Sequence, residues 1–178
     1  MSVLGAGGHI FLEDAPVAQM RSMLRVAEEI GAEIHVTREG LNIIAKEYKK
    51  PIPYIKTEIY PGFPTDMQSP LMAVLSTCEG KSIIEETIFE NRFRIVESLR
   101  KMGARIELKG RRQAVIQGVD SLLGCEVAAE ELRGGAALVI AGSMALGETV
   151  VKNCHFIERG YEDICRDYRN LGVHIFSK

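Results

Sequence analysis

Leu132-Arg133-Gly134-Gly135-Ala136-Ala137-Leu138-Val139-Ile140-Ala141-Gly142-Ser143-Met144-Ala145-Leu146 is the stretch whose burial sets the architecture. From Ala136 to Ala141 it is apolar on nearly every side of a helix, and Met144 extends the apolar surface by a further turn. A surface helix carries one apolar stripe, whereas a helix apolar all round is buried. The stretch therefore reads as the inside of a domain, with sheets packed outside it. A second helix of this inner kind is expected over Met67–Cys78.

Outward from that helix, three segments share one plan. They open at Gly8, Gly80 and Gly147, a period of roughly 70 residues, too long for a short solenoid. Each opening glycine leads into a short β-rich run and then into a helical pattern. Val17, Met20, Leu24 and Ala27 mark the first apolar face, and Phe89, Phe93, Val96 and Leu99 the second; Ile157, Tyr161, Ile164, Tyr168 and Leu171 mark the third. The helices end alike at Gly31, Gly103 and Gly172, where a left-handed residue closes a helix. Alternating strands follow at Glu33–Val36, Arg105–Leu108 and His174–Phe176. The first two run on as hairpins, through Glu39-Gly40 and Lys109-Gly110, into Leu41–Ala45 and Ala114–Gln117. The third repeat stops at Lys178. An α/β class follows, with a few units around a shared helical centre. The plan calls for an inner helix before Gly8 and none is read there, so the core is expected to be incomplete. Residues 1–7 read as an extension and 8–178 as one domain, with repeats near 8–53 (partial), 54–123 and 124–178.

Composition narrows the function. The 178 residues are 46% hydrophobic and 26% charged with a net charge of −2, ordinary for a soluble domain. Lysines and arginines are scattered, which argues against a nucleic-acid partner bound by phosphate neutralisation. The four cysteines show no Cys-x-x-Cys spacing, so neither a metal nor a redox site is expected. No leader is read at Met1–Gly8, and the longest apolar run, Ala136–Ala141, is far short of the ~20 residues that span a bilayer. A cytoplasmic location and no membrane partner are expected.

The chemistry concentrates in Tyr60-Pro61-Gly62-Phe63-Pro64-Thr65-Asp66-Met67-Gln68. Two prolines and a glycine stiffen the approach to a helix. Thr65 is expected to cap it, which sets the Asp66 carboxylate among the free N–H groups of the first turn. Asp66 is then either a positioned catalytic or binding group or simply a capping acid, and the residues leave both open. Arg133, beside Gly134-Gly135 at a helix mouth, and Arg159, beside Gly160, suit a phosphate or carboxylate. Pairing with a neighbouring glutamate is the competing reading for each. Asn91 reads as a cap, Phe89 and Phe93 as core, and Cys125 as a half-buried thiol rather than a nucleophile.

Pro61–Gln68, the run Glu86-Thr87-Ile88-Phe89-Glu90-Asn91-Arg92-Phe93, Leu132-Arg133 before its small-residue helix, and Ile157–Tyr161 occur in this order in UDP-N-acetylglucosamine 1-carboxyvinyltransferases. The chain resembles that family from about Gly8 to Lys178. The related 5-enolpyruvylshikimate-3-phosphate synthases share the fold but not this motif wording. The resemblance implies an inside-out α/β, barrel-like domain of βαβαββ units, helices within and sheets outside, its first unit incomplete. It implies transfer of the enolpyruvyl group of phosphoenolpyruvate to the 3-hydroxyl of UDP-N-acetylglucosamine, the first committed step of peptidoglycan synthesis, without a cofactor. Asp66 matches the family's proposed general base. Ile88 and Phe89 match contacts to the UDP-sugar made largely through backbone. Arg133 and Arg159 match arginines that grip phosphoenolpyruvate, with Arg159 closing over the site.

The family's N-terminal Lys-Asn pair and its cysteine-bearing loop have no counterpart among these residues. The chain is thus expected to correspond to the C-terminal part of such an enzyme and to be inactive or nearly so alone. A companion chain or self-association is expected to complete it. The alternative is a non-catalytic remnant that binds the UDP-sugar or associates with itself.

Overall fold

The computed structural model describes residues 1–46 and 48–177; the expected end of the third repeat, at Lys178, lies outside them. The first unit comprises helix α1 (Ser2–Ala6), strand β1 (Gly8–Glu13), α2 (Arg21–Ile30), β2 (Glu33–Val36) and β3 (Gly40–Ala45). The second runs β4 (Ile55–Lys56), a 3-10 turn at Thr65–Met67, α3 (Gln68–Leu75), β5 (Lys81–Glu85), α4 (Val96–Lys101), β6 (Arg105–Lys109) and β7 (Gln113–Gln117). The third has β8 (Glu126–Ala128), α5 (Leu132–Met144), β9 (Val150–Lys152), α6 (His155–Glu158) and α7 (Ile164–Asn170).

The second unit carries the complete βαβαββ plan. Its sheet has the order β4-β5-β7-β6, with β4 parallel to β5 and the hairpin antiparallel. The first sheet, β1-β3-β2, follows the same order without the leading strand. The third has only the parallel pair β8-β9 among the described residues. Among the described residues the three sheets stay separate and do not close into a barrel.

Helices α1, α3 and α5 form the inside. Every residue of α3 is buried, as are Gly134–Ala141 of α5. The two pack together, and each also touches a strand of its own unit. Close approach explains the small residues: a Cβ on Gly5 would lie 2.1 Å from the Met144 sulfur, and one on Gly135 would lie 2.6 Å from Ile157 Cγ1. Lys49 ties the ends of two inner helices, its Nζ donating to the Gly5 carbonyl and the Thr77 hydroxyl, both at 2.8 Å. A cation suits those carbonyl-rich ends. The outer helix α2 is amphipathic, burying Leu24, Val26, Ala27 and Ile30. It closes on Gly31 at φ 113°, where the backbone N–H reaches two carbonyls of the last turn. A residue with a Cβ is strained there.

Several expectations are corrected. A helix does precede Gly8: α1 buries Leu4 and fills the inner position that was read as empty. Five residues carry too little periodicity to announce a helix. The second outer helix begins only at Val96, because Asn91 sits at φ 57° and cannot continue a right-handed helix. Asn91 is therefore a left-handed turn residue rather than a cap. The third outer helix breaks into α6 and α7, since Asp163 starts a new helix by accepting from the Arg166 N–H at 2.7 Å. Residues His174–Phe176 form no strand. The third sheet offers them no partner there, and a strand without a neighbour leaves its backbone groups unpaired.

Candidate functional site

Asp66 lies on the 3-10 turn that enters α3. Glu58 N–H donates to the Phe63 carbonyl and Gly62 N–H to the Ile59 carbonyl, closing the approach into a tight loop. Pro64 is extended at φ −71° and ψ 135°, so the chain turns into the helix only from Thr65 onward. Thr65 does not cap that helix, contrary to expectation. Its hydroxyl donates to Glu86 Oε2 at 2.8 Å instead. Freed from capping, the turn presents Asp66 outward, with its side chain 55% exposed.

Two guanidinium groups meet that carboxylate. Arg133, at the second position of α5, pairs with it in two-pronged fashion, Nε to Oδ1 and Nη2 to Oδ2 at 3.1 Å. Arg92 Nη2 reaches Oδ1 at 3.2 Å, and its Nε donates to the Thr65 hydroxyl at 3.3 Å. The Arg92 guanidinium also lies 4.8 Å from the centre of the Phe89 ring. The hydrogen bond that Arg133 donates to Asp66 raises its guanidinium above arginine's ordinary value and keeps it charged. One carboxylate shared by two guanidinium groups leaves N–H donors to spare, suited to an anion. Exposed pairs of this kind contribute at most ~1 kcal/mol to stability, so the pairing orients side chains more than it holds the fold.

The competing reading for Arg133 is corrected by Glu131. That glutamate is the N-cap of α5, accepting from the backbone N–H groups of Arg133 and Gly134, which leaves the guanidinium to Asp66. Ile88 and Phe89 stand beside the turn, but their N–H groups already donate to Glu86 Oε1, at 2.9 and 3.0 Å. Any backbone contact they make to a ligand runs through their carbonyls. Phe89 is 51% exposed rather than core, while Phe93 is buried.

Arg159 closes the C-terminal end of α6 and makes no ion pair among the described residues. Its neighbourhood is nonetheless fixed against α5: a Cβ on Gly160 would lie 2.9 Å from the Leu132 side chain. The structure thus joins Asp66 to Arg133 and sets Ile88–Phe89 alongside, with Arg159 anchored near the same helix mouth. Arg92 and Glu86 join this cluster although the sequence reading did not single them out. Both stand in the quoted motif, yet nothing local reveals that they reach Thr65 and Asp66. No cluster of potential metal ligands occurs among the described residues. No helix there is long and apolar enough to cross a membrane.

Comparison with known proteins bears on this arrangement. The family model described as EPSP synthase (3-phosphoshikimate 1-carboxyvinyltransferase) matches residues 2–167. A UDP-N-acetylglucosamine 1-carboxyvinyltransferase 1 of Clostridium perfringens is 50% identical over 151 residues, which is 83% of this chain and 35% of that protein. A UDP-N-acetylglucosamine 1-carboxyvinyltransferase of Desulfofundulus thermocisternus is 45% identical over 169 residues, 95% of this chain and 69% of that one. The chain spans about a third to two-thirds of the length of these relatives. Among solved structures, the enolpyruvyl transferase NikO from Streptomyces tendae superposes with a TM-score of 0.84 at 22% identity, over 97% of this chain and 42% of its own. An EPSP synthase from Acinetobacter baumannii gives 0.64 at 20% identity, over 84% and 36%. Both show the fold.

Proposed function

The chain belongs to the EPSP synthase family and groups within it with the UDP-N-acetylglucosamine 1-carboxyvinyltransferases, and we propose that it is the C-terminal part of such an enzyme, one domain in which α1 joins the expected residues 8–178. Its role is to hold the hydroxyl of UDP-N-acetylglucosamine beside the anionic groups of phosphoenolpyruvate. The observation that carries this reading is the Asp66 carboxylate lying between Arg92 and Arg133.

In the reaction, the 3-hydroxyl oxygen of the sugar bonds to C2 of phosphoenolpyruvate, and the bond from C2 to the phosphate oxygen breaks. Asp66 is the proposed acceptor of the hydroxyl proton, since proton transfer needs a group within hydrogen-bond reach. Arg133 and Arg159 take the phosphate and carboxylate, and Ile88 and Phe89 border the sugar. For Asp66 to accept a proton its two-pronged bond to Arg133 has to open. An incoming anion on Arg133 does this, coupling the arrival of one substrate to the readiness of the base.

The chain alone is inactive or nearly so in this reading. Asp66 and Arg133 are 55% and 37% exposed, and charge–charge interactions that stabilise a transition state are weak in water. Holding two substrates in attack geometry is worth ~7–11 kcal/mol, which an open face does not supply. A companion chain, or a second copy, is proposed to complete the cleft in the cytoplasm.

The test uses the purified chain. UDP-N-acetylglucosamine is expected to raise its thermal midpoint, Asp66→Ala to reduce that gain, and phosphoenolpyruvate with the sugar to release no phosphate. Sustained phosphate release would refute the inactivity, and no response to the sugar nucleotide would refute the site.

A further inference from the structure

Glu86 is fully buried just past the end of β5, and no cation pairs with it among the described residues. Its charge is met by four donors instead. Oε1 accepts from the Thr57 hydroxyl at 2.8 Å and from the backbone N–H groups of Ile88 and Phe89; Oε2 accepts from the Thr65 hydroxyl at 2.8 Å. Both oxygens act only as acceptors. Buried polar groups persist when they are fully bonded, and removing such a hub leaves every partner unsatisfied.

The donors come from separate segments. Thr57 follows β4, Thr65 belongs to the turn that carries Asp66, and Ile88–Phe89 form the exposed loop after β5. Thr57 is itself fixed by the Thr87 N–H at 2.9 Å, while its carbonyl accepts from the Thr87 hydroxyl. Thr65 passes the connection on, because its hydroxyl oxygen accepts from Arg92 Nε while Arg92 Nη2 reaches Asp66. A continuous path therefore runs from the Ile88 and Phe89 amides through Glu86 and Thr65 to Arg92 and the Asp66 carboxylate.

We infer that Glu86 is a positioning residue: it sets the Asp66 turn and the Ile88–Phe89 loop in one register, so that the carboxylate and the loop face the same ligand. The register follows from the hydrogen bonds, and its use for a sugar nucleotide rests on the function proposed above. The amide bonds and the Thr65 bond sit on different oxygens of one side chain, so a change at Thr65 is felt at Ile88 and Phe89.

Amide hydrogen exchange on the full chain tests this. Thr65→Val keeps the shape and removes the hydroxyl. The Ile88 and Phe89 amides are expected to exchange about tenfold faster, the factor that one hydrogen bond of ordinary strength gives, with the α3 and α5 amides unchanged. UDP-N-acetylglucosamine affinity, measured well below the unfolding midpoint, should fall about fivefold or more, a loss that a purely structural role would not produce. Glu86→Gln keeps one oxygen for the amides and turns N–H donors toward Thr65, whose hydroxyl then accepts. It should restore near-native exchange where Glu86→Ala does not. If Glu86→Ala fails to fold, Thr65→Val and Glu86→Gln still decide. Exchange at Ile88 and Phe89 within twofold of wild type in Thr65→Val would overturn the inference. Loss of sugar-nucleotide binding by the wild-type chain would overturn the proposed function instead, and the exchange data would still judge Glu86.

Discussion

At Asp66 one negative charge faces two positive ones, so neutralising it acts on both ligands in opposite directions. Asp66→Asn removes the carboxylate that draws Arg133 and Arg92 together. The variant should lose sugar-nucleotide stabilisation yet bind phosphoenolpyruvate or inorganic phosphate several-fold more tightly, measured by calorimetry. Equal weakening of both would contradict the paired geometry. Cys78 gives a second prediction. Burial pushes its thiol up from 9.0 to about 11. Below pH 9 it is protonated in both states. Between pH 9 and 11 the unfolded chain sheds the proton and the folded chain keeps it, so stability falls with rising pH at ~1.4 kcal/mol per unit. Wild type should lose about 2–3 kcal/mol more than Cys78→Ala across that window in urea unfolding. Burial shifts the neighbouring Lys49 downward, an effect of the opposite sign whose burial part both proteins share, while the smaller, raising effect of Cys78 is lost in Cys78→Ala. Asp66 and Arg133 stood out in the sequence because proline and glycine flank them. Arg92 did not, because its partners are 26 and 27 residues away.

The elements answer to packing and caps. Glu131 caps α5 through two backbone N–H groups, so Glu131→Ala should cost about 1 kcal/mol in chemical denaturation. It should also loosen Arg133, whose own amide is one of the two. Gly135 is where α5 meets α6. A Cβ there would stand 2.6 Å from Ile157 Cγ1 and 3.0 Å from Ala129 Cβ. Gly135→Ala should therefore destabilise by roughly 1–3 kcal/mol through overpacking. It should also weaken phosphate binding, because α6 carries the Arg159–Gly160 segment away. Inner helices were legible because uniform apolarity has one physical reading. The short outer helices were not: the apolar period runs through Asn91 and Asp163 without a break, but the left-handed Asn91 delays α4 and the Asp163 cap starts α7 anew.

Among the described residues, one complete four-stranded sheet is accompanied by a three-stranded and a two-stranded one. Where the second unit meets the third, Leu123 and Leu146 pair in a β-bridge, yet both are exposed, and Phe176 stands uncovered as well. Sedimentation should show association that rises with concentration, and Leu146→Glu should reduce it; a monomer throughout would count against it. By itself, the sequence determined the inner helices, the hairpins, the helix-closing glycines and the stiff turn at Asp66. Each rests on local chemistry: side-chain period, backbone freedom, or a ring that presets φ. Tertiary structure alone decided that α1 completes the inner layer, that His174–Phe176 stays unpaired, and that Thr65 serves Glu86 rather than its own helix. Those outcomes depend on groups distant in the chain competing for the same donors and the same buried space, and local sequence does not encode the winner.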